Sequence, residues 1–214
     1  MKIKTIIFDL DGTLIDSSEG IVEAFNYALC HFNLPTQPPE KITPMIGFPV
    51  ENMFSQFTDF SPVELKNAFR LKAMETVVRA SQPLPGAREV VVSLFERGFK
   101  LGIATTKIRS HIDGIVQKLG WEEYFEEYIG GDEVAQVKPH PEQFASLLNR
   151  MSASKEECVV VGDTINDILA ARKLGIVEIA VRSPYDNSLS VQQLRPHYFL
   201  EGIDELPETL AKIS

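Results

Sequence analysis

The sequence predicts an α/β fold: a parallel sheet covered by helices on both faces, with an all-helical insert near the start of the chain. Three observations carry this. From about residue 84 onward, short apolar, β-branched runs alternate with helical patterns, as strands joined by helical crossovers do. One further run of the same kind, Ile3 to Phe8, stands alone at the beginning. Between residues 16 and 82 apolar positions recur at helical spacing, and no strand pattern is found.

The opening run, with Ile3, Ile6, Ile7 and Phe8, reads as a short buried strand. After Ile15 the pattern turns helical. Asp16 with Glu19 has the form of a capping box, and Ile21, Val22, Phe25, Leu29 and Phe32 make one apolar stripe that ends at Asn33-Leu34-Pro35. Pro35, Pro38, Pro39, Pro44 and Pro49 then restrict the chain to short helices and turns. Ser61-Pro62-Val63-Glu64 is a helix start, with an N-cap serine, proline at the first helical position and Glu at the capping-box position. That helix runs through Leu65, Phe69, Ala73 and Val77, so the insert should hold about four helices.

After Leu84-Pro85-Gly86 a helix carries Val90, Val91, Leu94 and Phe95 and stops at Gly98. A strand over 100–104, a helix over 109–119 and a short strand at Tyr128-Ile129 follow. Pro141 opens a helix reaching about Arg150, and residues 158–161 make a strand that leads through Gly162-Asp163 into a helix ending near Leu174. Residues 176–181 form another strand, 198–200 an edge strand, and a last helix begins at Asp204. The expected division is a core of residues 1–15 and 83–214 and a small α-helical cap domain of residues 16–82.

The bulk numbers set limits. A chain of 214 residues, 44% hydrophobic and 24% charged, suits one large domain or a core with a smaller appendage. A net charge of -9 argues against nucleic acid or a membrane surface as the main partner, but leaves an anionic small molecule open, because local charge in a pocket decides that. Cys30 and Cys158, in apolar surroundings, fit a reducing compartment better than a disulfide scaffold. With no leader pattern before the first strand and no apolar run long enough to span a membrane, a cytoplasmic protein is expected.

The chemistry-bearing residues lie at strand ends, where ligands gather in such sheets. Side chains alternate along a strand, so Asp9 and Asp11 tend to leave it on the same side. Two carboxylates so placed repel, and they need a cation or a shared proton. Gly12 lets the chain turn tightly and lets a ligand approach the backbone. Taken alone, Asp-x-Asp-Gly is more often a solvated turn. Thr105, after the strand at 101–104, has a hydroxyl suited to a phosphate oxygen, though an N-cap threonine is the plainer role. In Val137-Lys138-Pro139-His140-Pro141 the prolines hold the loop extended and present Lys138; by itself this is a surface lysine, and His140 a loop residue. Asp163 follows a buried strand, and Asp167 stands one helical turn later on the same face. The helix dipole accounts for one such acid but not comfortably for both.

Asp9-Leu10-Asp11-Gly12-Thr13, Thr105-Thr106-Lys107, Lys138 and Val161-Gly162-Asp163-Thr164-Ile165-Asn166-Asp167 resemble, in order and separation, the four signature segments of the haloacid dehalogenase superfamily of phosphatases. Thr106 stands where that family often has Asn. The helical insert lies where the family's type-one caps sit, and Met45-Ile46-Gly47-Phe48-Pro49-Val50-Glu51 resembles the cap loop of phosphoglycolate phosphatase-like members. The resemblance implies a Rossmann-like, three-layer α/β/α core and a phosphatase that hydrolyses a small phosphate monoester through an aspartyl-phosphate. It further implies Asp9 as nucleophile and Asp11 as general acid and base, with Thr105 and Lys138 gripping the transferring group. Leu10, Thr106 and Gly47 join Asp11, Thr105 and Lys138 as phosphate- or substrate-binding positions. Mg²⁺ would be held by Asp9, the Asp11 carbonyl and Asp163, with Asp167 steadying the shell.

A pyrophosphatase would carry the same motifs. A sugar-phosphate mutase would be expected to have a basic residue in the cap loop, and residues 46–51 contain none. A dehalogenase has no use for the second aspartate, and a non-catalytic phosphometabolite-binding module would be expected to have lost core acids. The expected partner is a small phosphorylated metabolite, and both monomer and homodimer stay open. Phosphoglycolate would want a cation in the cap, for which Lys41, Arg70, Lys72 and Arg79 are in the right segment; Met45 and Phe48 could equally line an apolar leaving-group pocket.

Overall fold

The computed structural model describes residues 2–185 and 188–213, so Met1 and Ser214, the ends of the expected core segments, lie outside it. Strand β1 (Thr5–Phe8) leads to a two-residue strand, β2 (Ile15–Asp16), and then to four helices: α1 (Ser18–His31), α2 (Pro39–Ile42), α3 (Val50–Phe54) and α4 (Pro62–Ala80). Strand β3 (Gln82–Pro83) returns antiparallel to β2. From there helices and strands alternate through α5 (Ala87–Glu96), β4 (Lys100–Ala104), α6 (Arg109–Leu119), β5 (Glu127–Ile129), α7 (Glu142–Arg150) and β6 (Cys158–Gly162). The chain ends with α8 (Ile165–Leu174), β7 (Val177–Val181), α9 (Ser188–Gln193), β8 (Tyr198–Leu200) and α10 (Leu206–Ile213).

Six strands form one sheet in the order β5-β4-β1-β6-β7-β8, every pairing parallel. The chain builds outward from β1 on one side and then returns to its other side, which opens the ligand crevice at the carboxyl ends of β1 and its neighbours. Alternation along β1 supplies both faces. Ile6 and Phe8 join Val91 and Leu94 of α5 and Ile112 of α6, whereas Ile7 joins Phe144 and Leu147 of α7 and Ala171 of α8. Each such fully buried side chain contributes about 1.5–3 kcal/mol, which is why the strand is apolar throughout.

The insert is organised by α1 against α4. Gly20 permits the close approach: a Cβ there would lie 2.4 Å from the Thr76 carbonyl oxygen, and the Thr76 hydroxyl donates to the Gly20 carbonyl at 2.8 Å. Phe25 of α1 stacks on Phe54 of α3 with centroids 4.1 Å apart. Helix α4 also rests on α6 of the sheet layer, where a Cβ on Gly114 would meet Val78 at 3.0 Å.

The structure departs from the sequence reading in three places. The β2–β3 ribbon was not expected, because two residues, one a proline, show no period-two pattern. Helix α1 starts at Ser18, and the Asp16–Glu19 capping box does not form. The N-cap is Ser17, whose hydroxyl is drawn away to Asp11, so Asp16 accepts the Ser18 N–H instead at 2.8 Å. The Lys138-Pro139 peptide is cis rather than part of an extended run, and Lys138 is buried. Glu178, in the middle of β7, is fully buried and bound by Arg172 at 2.6 Å and His197 at 2.5 Å. Among the described residues no helix is long and apolar enough to cross a membrane.

Candidate active site

Asp9 leaves β1 at its carboxyl end, its backbone N–H donating to Val161 of β6 at 2.8 Å, and this fixes it between the two central strands. Thr105 closes β4 with its N–H on the Ile129 carbonyl at 3.2 Å. It is not a helix cap, since α6 begins at Arg109 with Ile108 before it. Asp163 follows β6, and the Thr13 hydroxyl donates to its Oδ1 at 3.1 Å. Asp9, Asp163 and Asp167 are all buried, with carboxylate oxygens within 4.8 Å of one another, close enough to share one ion.

Lys138 reaches this group from the loop after β5. Its Nζ donates to Asp9 Oδ1 and Asp167 Oδ1, each at 2.6 Å, and to the Ala104 carbonyl at 2.8 Å. Gln143 steadies the lysine's loop by accepting the Lys138 N–H and donating to the Thr105 carbonyl. The other oxygen of Asp167 accepts the Thr164 N–H at 3.0 Å and its hydroxyl at 2.6 Å, a capping box that begins α8. Asp167 thus holds the ammonium with one oxygen and the start of α8 with the other.

Electrostatics leave the carboxylates of the cluster short of positive charge. Burial pushes Asp9 up to about 7, with Asp167 and Asp11 adding to it and Lys138 opposing. Burial, then Asp9 and Asp167, hold Asp163 well above the usual carboxylate range. Burial works against the charge on Lys138, yet Asp167 and Asp9 keep it above its ordinary value. Asp163 Oδ2 is buried with no hydrogen-bond partner, and a Cβ on Gly12 would sit 2.2 Å from it. An orphaned carboxylate oxygen beside a bare glycine, among hard oxygen donors, fits a small divalent cation.

Asp11 is held apart from these acids. Its Oδ1 accepts the Ser17 hydroxyl and its Oδ2 accepts Lys107 Nζ at 2.9 Å, while Lys107 also donates to Ser17 Oγ at 3.2 Å. A cavity of about 610 Å³ opens above it between the helical insert and the sheet's rim. Asp11, Thr106 and Lys107 line it from below and Gly47, Phe48 and Arg70 from above. Gly47 has φ +95° and lies against Thr164, where a Cβ would meet the threonine methyl at 2.7 Å. The side chain of Leu10 is buried in the core, so only its main chain is available to a ligand.

A profile of the haloacid dehalogenase-like hydrolases matches residues 6–181. The chain belongs to this family. A relative named pyrophosphatase PpaX, from Bacillus mycoides, is 30% identical over 214 residues and covers 100% of both chains. A phosphoglycolate phosphatase from Mannheimia succiniciproducens is 28% identical over 217 residues, covering 96% of this chain and 97% of its own. A haloacid dehalogenase-like hydrolase structure from Streptococcus pneumoniae superposes with a TM-score of 0.87 at 26% identity, covering 99% of each chain.

In this haloacid dehalogenase-like hydrolase the sequence motifs singled out Asp9, Asp11, Thr105, Lys138, Asp163 and Asp167, and the fold gathers all of them at one rim. Ser17 and Lys107 were passed over as partners of Asp11. Lys107 stood inside a quoted motif, but its direction depends on the loop after β4. Of the four cap cations, Arg70 lines the cavity, whereas Lys72 and Arg79 pair with Glu23 and Glu75 and Lys41 is exposed outside the lining. Phe48 lines this cavity, and Met45 lines a separate groove on the cap.

Proposed function

We propose that the protein is a Mg²⁺-dependent phosphatase that hydrolyses a small phosphate monoester through an aspartyl-phosphate on Asp9. The observation that carries this is the pairing of Asp9 with Lys138 at 2.6 Å, with Asp163 beside them and Asp11 on separate partners facing the cavity. Two carboxylates on one strand end thereby have different environments, as a nucleophile and a proton carrier need.

In the first step an Asp9 oxygen attacks phosphorus, the ester P–O bond breaks, and a protonated Asp11 gives its proton to the leaving oxygen. In the second, Asp11 takes a proton from water, the water oxygen attacks phosphorus, and the Asp9–phosphorus bond breaks to release phosphate. Lys138 offsets the charge on Asp9, and the Thr105 hydroxyl and nearby backbone N–H groups orient phosphoryl oxygens. Asp9, the Asp11 carbonyl and Asp163 would hold Mg²⁺, with Asp167 steadying that shell; when bound, the ion neutralises carboxylate and phosphate charge. Together these groups must lower the barrier by on the order of 20 kcal/mol.

The relatives named pyrophosphatase favour a second reading in which inorganic pyrophosphate is the substrate. Both readings have the same test. Turnover of p-nitrophenyl phosphate, a panel of phosphometabolites and pyrophosphate is measured with Mg²⁺, and kcat/KM ranks the substrates. Asp9→Asn should abolish turnover while the circular dichroism spectrum is kept. More than a few per cent residual activity would remove Asp9 as the nucleophile, and full activity in EDTA would remove the metal.

A further inference from the structure

The loop after β7 lies outside the four signature segments, yet two of its side chains support the site. Ser183 hydrogen-bonds the Asp163 carboxylate and accepts the Tyr185 N–H at 3.2 Å. Tyr185 is 3% exposed and stands outside the cavity lining. Its ring covers Gly12, where a Cβ would meet Cδ2 at 3.1 Å. Its hydroxyl donates to Asp16 Oδ1 at 3.1 Å and accepts the Ser17 N–H at 3.4 Å, bridging two consecutive residues. Burial, then Asp11 and Asp16, raise the phenol above its ordinary value, so the proton it donates stays in place. The bridged segment is where the chain leaves the core: Asp16 ends β2 and pairs with Gln82 of β3, the returning strand. It also touches the chemistry. The Ser17 hydroxyl donates to Asp11 Oδ1, and Lys107, bound to the other Asp11 oxygen, donates to Ser17 Oγ at 3.2 Å.

A buried tyrosine hydroxyl needs a partner in any core, and one carbonyl would satisfy it. Here it takes a side-chain oxygen and a backbone N–H on either side of a single peptide. We propose that Tyr185 is a positioning residue: by fixing the Asp16-Ser17 backbone it holds the Ser17 hydroxyl on Asp11 and keeps that carboxyl aimed at the leaving oxygen. A serine hydroxyl chooses among staggered rotamers, so where it points is settled only when its own backbone is. Proton transfer tolerates little error, and a misplacement of about 1 Å can cost about a hundredfold in rate. The role rests on the phosphatase reading above, in which Asp11 carries the proton, but the clasp on Ser17 can be measured without turnover.

The experiment uses the full chain with Mg²⁺, well below its melting temperature, and two substrates of nearly one shape. Nitrophenolate leaves p-nitrophenyl phosphate with little help, whereas phenolate leaves phenyl phosphate poorly and needs the proton from Asp11. Tyr185→Phe, which removes only the hydroxyl, should lower kcat/KM about tenfold for phenyl phosphate and about threefold or less for p-nitrophenyl phosphate. Ser17→Ala should separate the two substrates in the same way, and the double variant should lose little more than Ser17→Ala alone, because both changes break one link. Asp16→Asn keeps an acceptor for the phenol and should retain most of the activity. Val191→Ala, a truncation in the core beside α9, should lower the melting temperature without separating the substrates. In parallel, amide hydrogen exchange at Ser17 should quicken about tenfold in Tyr185→Phe. Equal losses on both substrates, no loss, or losses that multiply in the double variant would overturn the proposal, as would unchanged exchange at Ser17. If the wild type hydrolyses neither ester, the phosphatase reading falls, and the exchange rate alone then decides whether Tyr185 holds Ser17.

Discussion

Lys138 shows how a charged group is tolerated inside this protein. Its three N–H bonds all end on oxygen, two of them carboxylate, so the ammonium is buried without an unpaired proton. His111 is the opposite case, a titratable group kept neutral by its surroundings. Its proton affinity in the folded chain lies at about 3 and in the unfolded chain near the ordinary 6.5. Between these values the unfolded state binds a proton that the folded state refuses. Stability is therefore fully present above about pH 6.5 and declines as pH falls toward 3. At pH 5 the loss from this residue should be about 1–2 kcal/mol. Urea unfolding of the wild type and His111→Gln at pH 7 and pH 5 measures it, and the variant should lose less over that interval. Parallel losses would mean that the ring is protonated in the native state.

At the scale of elements, two glycines decide how the helical insert is built and how it meets the core. Gly20→Ala would drive a methyl into the Thr76 carbonyl of α4, and overpacking of this kind costs about 1–3 kcal/mol. The urea midpoint should fall accordingly, and an unchanged midpoint would mean that α1 and α4 do not approach so closely. Gly47→Ala combines a left-handed φ of +95° with a methyl 2.7 Å from that of Thr164. Because Gly47 belongs to the cap loop and Thr164 caps α8, the expected result is a loop lifted from the rim and a KM raised several-fold, read from steady-state kinetics; an unaltered KM would count against the contact. The elements themselves were legible wherever an apolar period ran long enough. β1, β4, β6 and α4 follow from runs of branched residues and from the Ser61-Pro62 start. The β2–β3 ribbon is too short to have a period, and the start of α1 was misread because a tertiary bond from Ser17 to Asp11 outcompeted the local cap. The acids of the site were readable because their spacing places them at strand ends. Lys107 and His111 were not assigned, and Arg70 was named only as one of four cap cations, since helix and loop positions do not disclose which side faces the cavity until α4 is packed on α6.

For the whole molecule, the acid cluster couples stability to ligand. Asp9 and Asp163 are buried with proton affinities above the carboxylate range, so without a cation the folded chain gives up stability as pH rises from about 4 toward 7. A cation bound only by the folded state returns it by mass action, about 2.7 kcal/mol at a concentration one hundred times Kd. For a chain of this size each kcal/mol moves the melting temperature by about 2–4 °C. Mg²⁺ added to EDTA-treated protein at pH 7.5 should thus raise Tm by about 5–10 °C. The rise should be smaller at pH 5.5, where protons compete for the same oxygens. Asp163→Asn removes one charge and one ligand together, so it should raise the Tm of the metal-free protein and abolish most of the Mg²⁺ response. Differential scanning calorimetry of the two proteins at both pH values makes the comparison. Equal Mg²⁺ shifts in wild type and Asp163→Asn would place the bound ion elsewhere on the molecule and leave the orphaned oxygen of Asp163 without an occupant.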